Sequence, residues 1–358
     1  MRVGALLLLM ALTAPAWAGE DPLVGELARA RPGDVIKISG THSGEFVTRV
    51  AGTAEAPITL QGDETAVLIS TSKSQPVLKI QHDFYRVIHL RTRGGQKGIY
   101  VTGAHGVLDK IDVADTEEEG FTFKRSGARY WLVTDCLAHH TGLEGKYGEG
   151  FYVGDAAENW LTDLPDTPGY ITFYRCRTRD TVNDGWDIKE GAHHVKVVDC
   201  TADLTTNAPL PASSLPYDHG GAYCRGNDIQ FINFETRDLT SGRHLTALAL
   251  YREKGRDGAM YGERIELKNV AGQNIPGGAL LYVNSEAMHV TLYDDYTLDH
   301  VGALYQKGSS TPRLAPAAEF QEMSWKGEGG EIYEQRHSAP AAGSPALPTD
   351  SERRSSIR

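Results

Sequence analysis

Asn183 to Gly191 reads NDGWDIKEG: two aspartates, a lysine and a glutamate around one tryptophan and one isoleucine. Alternate side chains of a strand point to opposite faces, so Trp186 and Ile188 go one way and Asp187 and Lys189 the other. The same pattern, a polar residue, a glycine and then alternating residues, recurs as KGIYVTG (97–103), EGFTFKR (119–125), EGFYVGD (149–155) and GGAYCRG (220–226). Stacked on their glycines, these segments give an outward column of Tyr100, Thr122, Tyr152, Asp187 and Tyr223. A second column holds Thr102, Lys124, Gly154, Lys189 and Arg225, and a third, just before the glycines, holds Lys97, Glu119, Glu149, Asp184 and Gly220. Glu149, Asp184 and Asp187 then fall within one or two rungs of one another and repel unless something neutralises them. A calcium ion would do so through oxygen ligands at about 2.3–2.6 Å. A salt-bridged face in which Lys124, Lys189 and Arg225 pair with the acids would do so as well.

These columns require strands stacked in register. A second strand follows each segment: LDKIDVAD, YWLVTDCLA, YITFYRCRT, HVKVVDCTA, IQFINFET and RIELKNVAG, all rich in β-branched or aromatic residues. Lined up, one inward position of these strands holds Val113, Cys136, Cys176, Cys200, Phe234 and Val270. Cys224 falls at an inward position of its own strand. The four cysteines therefore read as buried thiols packing as small hydrophobes, with a Cys176–Cys200 bridge as the lesser alternative. There is no CxxC and no His/Cys spacing for zinc. GGALLYV (277–283) continues the series, and ALALYRE (247–253) fills the gap before it in an ambiguous register. Recurrent short strands with irregular spacing and no helical periodicity indicate a parallel β-solenoid. An antiparallel sandwich would not repeat equivalent residues at one rung position.

The 358 residues carry 40% hydrophobic and 23% charged residues, as a globular chain does, and a net charge of -11 argues against nucleic acid as a partner. Arg2, the apolar ALLLLMALTA and AWA before Gly19 have the layout of a signal peptide over residues 1–18. Its apolar run is too short to span a bilayer. The expectation is an exported monomer, periplasmic or extracellular, with no membrane span in its mature form. The solenoid domain is expected over 19–337, and the Pro-, Ala- and Ser-rich residues 338–358 read as a disordered tail. Two long loops, 155–169 and 203–221, interrupt the series, and the second ends in Asp218 and His219.

GDVIKISG, GEF and AGTAEAPITLQGD, all within 33–63, resemble the entry coils of the chondroitinase-B and alginate-lyase branch of the pectate-lyase-like proteins. NDGWDIKEG resembles the Asp-Asp-Gly-Trp-Asp rung of calcium-dependent pectate lyases of the same fold. The resemblance spans roughly residues 30 to 310. It implies an all-β, right-handed single-stranded parallel β-helix of roughly eight to eleven coils, and a lyase that cleaves a uronic-acid polymer by β-elimination. In that chemistry a cation neutralises the C6 carboxylate and a base removes the C5 proton. The resemblance implies Ca2+ on Glu149, Asp184 and Asp187, with Lys189 as base. Arg225 either assists that base or binds the substrate carboxylate. Lys124, Tyr152, Tyr223 and His219 are the expected contacts to an acidic polysaccharide. Asn183 stands where those lyases have a further aspartate, and Cys224 or Arg225 stands near the place of their lysine. A glycoside hydrolase or epimerase on the same fold, or a non-catalytic glycan-binding protein, remains the alternative.

Overall fold

The computed structural model describes residues 21–145, 147–204, 220–240, 245–325 and Ile332. The expected signal peptide, the expected tail and His219 lie outside the described residues. The described chain forms one sheet of 27 strands in which every pairing is parallel, plus a two-stranded antiparallel hairpin of Glu253–Lys254 with Met260–Tyr261. Each coil contributes three strands. Phe151–Val153, Gly169–Tyr174 and Arg177–Thr181 make one coil, and Trp186–Ile188, His193–Val198 and Thr201–Asp203 make the next. Phe46, Leu78, Ile99, Phe121, Phe151, Trp186, Ala222, Leu248, Leu281 and Tyr305 stand in a single column of ten rungs. The right-handed parallel β-helix is thus present, and the rung count lies inside the expected range.

The coil turns at single residues in the left-handed region, and short polar side chains accept that conformation most readily. Asp135, Arg175, Asp199, Asn233 and Asn269 hold one corner with φ between 48 and 54°. Their side chains bond along the stack: the Asn269 amide donates to Asn233 Oδ1 at 2.8 Å and the Asn233 amide to Asp199 Oδ1 at 2.6 Å. The glycine that opens each outward segment has a steric cause. A Cβ at Gly150 would overlap the Thr178 methyl, and one at Gly221 would overlap the Thr236 hydroxyl.

The core runs along the axis. Phe121, Phe151 and Trp186 stack at 4.8 and 4.9 Å between centroids, and all three are fully buried. Deep burial of aromatic rings supplies much of the stabilisation here. The second-strand ladder holds Cys136, Cys176, Cys200, Phe234 and Val270 as expected, but its first member is Ile111 and not Val113. Val113 pairs with Ala138, two residues further on. Two valine-type positions alternate inward there, and the sequence pattern alone fits either. All four cysteines are buried free thiols. The amphipathic helix Pro22–Arg29, N-capped by Asp21, buries Leu23 and Leu27 at the first coil and so covers one open end of the stack. At the other end the chain turns back along the outside, where Lys196 pairs with Glu322 at 2.7 Å and Gln230 brackets Gln321 and Met323.

Candidate active site

The outward register matches the sequence columns. Tyr100, Thr122, Tyr152, Asp187 and Tyr223 are successive partners, and Lys79 extends the column at the N-terminal side and Ala249 and Tyr282 at the other. The middle of this outward face is buried, however, while Lys79, Tyr100, Tyr223 and Tyr282 are half-buried. Tyr152 is 6% exposed, Asp187 2% and Arg225 7%. The 155–168 loop is fastened nearby by three acids. Glu190 accepts from Ala157 N at 2.6 Å, Asp166 from Arg125 N at 2.9 Å, and Asp155 pairs with Lys124 and Arg125 at 3.1 and 3.2 Å. Trp160 closes this loop onto the Glu253–Tyr261 hairpin, edge-on to Tyr261 at 5.8 Å, and its carbonyl accepts from Arg256 at 2.9 Å.

Six expected residues converge. Lys189 forms an ion pair with Asp187, and its ammonium lies 4.9 Å from the centroid of the Tyr152 ring. Lys124 lies 4.7 Å from the same ring. Arg225 stacks on Tyr223 at 4.8 Å and stands between three carboxylates: Glu190 at 3.2 Å, Glu253 at 3.5 Å and Asp187 at 3.7 Å. Yet Arg225 Nε, Asp187 Oδ1 and Glu190 Oε2 are buried without an aligned hydrogen bond. Buried charges in such a state keep hydrogen-bonding capacity that a ligand can use. The surrounding carboxylates raise the Arg225 pKa against the opposing effect of its burial. Burial, reinforced by Asp187, Glu119 and Glu149, pushes the Tyr152 phenol well above its ordinary value, so that it holds its proton.

The three acids expected to hold calcium are arranged differently. Glu149 accepts from Gly148 N at 3.0 Å and from the Asn183 amide at 3.1 Å, Asp184 accepts from Gly220 N at 2.8 Å, and Asp187 is taken by Lys189. Among the described residues, no three His, Cys, Asp or Glu side chains converge to hold a metal ion. Burial raises Glu149 to about 7, with Glu119 and Asp187 adding to the shift, and burial raises Asp184 well above the usual carboxylate range. Glu119 moves the other way: burial opposes it, but the cation of Lys97 holds its pKa low. The donor set as placed does not fit a calcium cage.

Asp155, Glu190 and Glu253 were not foreseen as site residues. Asp155 and Glu190 lie two residues past the ends of Phe151–Val153 and Trp186–Ile188, where strand alternation no longer says which way a side chain points. Glu253 belongs to a hairpin that the sequence reading did not separate from the coil.

No family model matches the chain, and no curated protein matches it. Solved structures do. An alginate lyase from Paenibacillus sp. str. FPU-7 superposes with a TM-score of 0.68 at 22% identity over 80% of this chain and 95% of its own. The pectate lyase Pel9A gives 0.59 at 12% identity over 82% and 71%. A rhamnogalacturonan lyase gives 0.59 at 14% identity over 91% of each chain. The fold is the pectate-lyase-like parallel β-helix. At these identities the likeness speaks to the fold alone. No described helix is long and apolar enough to cross a membrane.

Proposed function

We propose that this face cleaves a uronic-acid-containing polysaccharide by β-elimination, without a metal ion. The observation that carries the reading is the contact of Lys189 with Tyr152 inside a sheltered cluster that also holds Arg225 and Lys124. In this reading Lys189 first passes its ammonium proton to its ion-pair partner Asp187, and the neutral amine then takes the C5 proton of the uronate. The C4–O bond then breaks, a C4=C5 double bond forms, and the Tyr152 hydroxyl protonates the departing oxygen. A phenol that burial keeps protonated is suited to that donation. Arg225, whose buried Nε–H makes no aligned hydrogen bond, binds the C6 carboxylate and offsets the charge that develops there. Lys189 and Tyr152 adjoin, so the proton gained by one can return to the other between turnovers.

Tyr223, Tyr251 and Tyr282, at centroid spacings of 4.9 and 5.2 Å, continue the site along the stack and offer a surface for further sugars. The fold resemblance to alginate, pectate and rhamnogalacturonan lyases supports a carbohydrate substrate. Export through the N-terminal segment belongs to the same reading. Incubation with alginate, polygalacturonate and glycosaminoglycans, followed by the ultraviolet absorbance of the unsaturated product, tests it. New reducing ends without that absorbance would make the protein a hydrolase. Binding without any turnover would make it a glycan-binding protein.

A further inference from the structure

A second pocket of about 380 Å³, sharing Lys124 with that cluster, opens on the same face towards the N-terminal coils, lined among others by Lys79, Lys97, Tyr100, Lys124, Arg125 and Glu118. Four cations and one carboxylate among these residues stand out in a chain of net charge -11. Most of this charge is already matched. Lys97 pairs with Glu118 and Glu119, and Lys124 and Arg125 share Asp155. Lys79 is the exception: it forms no ion pair among the described residues, and its ammonium sits 5.8 Å from the centroid of the Tyr100 ring. Lys79, Tyr100, Thr122 and Tyr152 are consecutive members of one register column. Lys79 is therefore three coil steps, or about 14 Å at roughly 4.8 Å each, from Tyr152. A pyranose residue is similar in length to one coil step, so an extended polymer lying along the column would bring a sugar two or three residues away from the bond being cut into this pocket.

We propose that the pocket is an anion subsite for the carboxylate of a second uronate in the same polymer chain, with Lys79 as its charge and Tyr100 as its sugar platform. The substrate is then a polyuronate with successive acidic sugars, long enough to reach both places. This rests on reading the Tyr152–Lys189 face as the carbohydrate site.

The test is calorimetric binding of polyuronate oligosaccharides to the slow Tyr152→Phe protein, with and without Lys79→Ala. Lys79→Ala is expected to weaken a hexasaccharide about five- to ten-fold and to flatten the salt dependence of its affinity, while a trisaccharide held at the reacting centre is unaffected. Lys79→Arg restores the affinity. Unchanged hexasaccharide affinity in Lys79→Ala, or an equal loss for both lengths, overturns the subsite. If no polymer gives an ultraviolet-absorbing product but Lys79-dependent binding persists, elimination falls and the subsite stands. If product forms while Lys79→Ala binds normally, the subsite falls and elimination stands.

Discussion

Arg225 Nε and Glu190 Oε2 stand 3.2 Å apart, both buried, and neither makes an aligned hydrogen bond. The same Glu190 uses its other oxygen to hold Ala157 N at the start of the 155–168 loop. One carboxylate thus ties the candidate carboxylate-binding arginine to the loop beside it. Arg225→Ala would leave Asp187 and Glu190 as buried acids with one cation fewer. Breaking a buried pair from one side costs about 3–5 kcal/mol, and Glu253, more exposed, adds little. The expected outcome is a Tm lowered by several degrees together with a large loss of kcat/KM. Arg225→Lys should recover much of the Tm but not the activity, because an ammonium lacks the planar fork that grips a carboxylate. Thermal unfolding and turnover measured on both variants check this.

Tyr152→Phe keeps the ring that Lys124 and Lys189 face and removes only the hydroxyl. If that hydroxyl is the proton donor, kcat falls by roughly 10²–10⁴ with little change in KM or Tm. Lys189→Ala should fall comparably in kcat. It also leaves Asp187 without its nearest cation and so lowers the Tm. Full activity in either variant would place the chemistry elsewhere on the coil.

Much of this face was legible because the solenoid converts sequence spacing into spatial stacking. Once Trp186 and Phe151 are assigned inward, Asp187 and Tyr152 must be neighbours on the outside, and the register pairs them. The steric demand at Gly150 and Gly221 kept the marker glycine visible on each coil. ALALYRE lacks that marker, so its register is ambiguous in the sequence, and the fold sets Leu248 opposite Ala222. Burial of the outward face was not legible, because it depends on where the 155–168 loop and the 253–261 hairpin fold back. Non-local contacts such as Trp160 with Tyr261 leave no periodic trace. The fate of the acids was hidden for a similar reason. The columns place Glu149, Asp184 and Asp187 close together, but whether they meet a metal, a lysine or backbone N–H groups depends on side-chain direction.

The raised pKa of Glu149 makes stability depend on pH in a defined direction. Its ordinary value is 4.5 and its folded value about 7, raised by burial and then by the charges of Glu119 and Asp187. Between those values the folded state holds a proton that the unfolded chain has released. The stabilisation is therefore complete below about 4.5 and is lost as pH rises through about 7. The contribution is at most about 3 kcal/mol. Asp184, also raised, acts in the same sense. Urea unfolding between pH 4.5 and 8 should show stability declining with pH, and Glu149→Gln should flatten that decline while keeping the acceptor for Gly148 N or Asn183. A slope unchanged in Glu149→Gln would mean that this carboxyl is ionised throughout the range.

The last expectation concerns calcium. Lys189 occupies Asp187, while Glu149 and Asp184 accept from Asn183 and from the backbone N–H groups of Gly148 and Gly220. A divalent ion would have to displace the lysine and the N–H donors, and because burial raises the pKa of Glu149 and Asp184 that cost grows as pH falls. Activity should therefore persist after exhaustive chelation, and added Ca2+ should raise neither kcat nor Tm. The decisive comparison measures unsaturated product from one polyuronate in chelator, in chelator followed by excess Ca2+, and at two pH values. Polymers such as alginate and pectate themselves bind calcium, so the Tm of the protein alone must be followed in parallel. A Tm that rises with Ca2+, and rises more at the higher pH, would show that the carboxylates rearrange around the ion. Lys189 would then be released from Asp187, and the reaction would have to be rebuilt with the metal as the charge that offsets the substrate carboxylate.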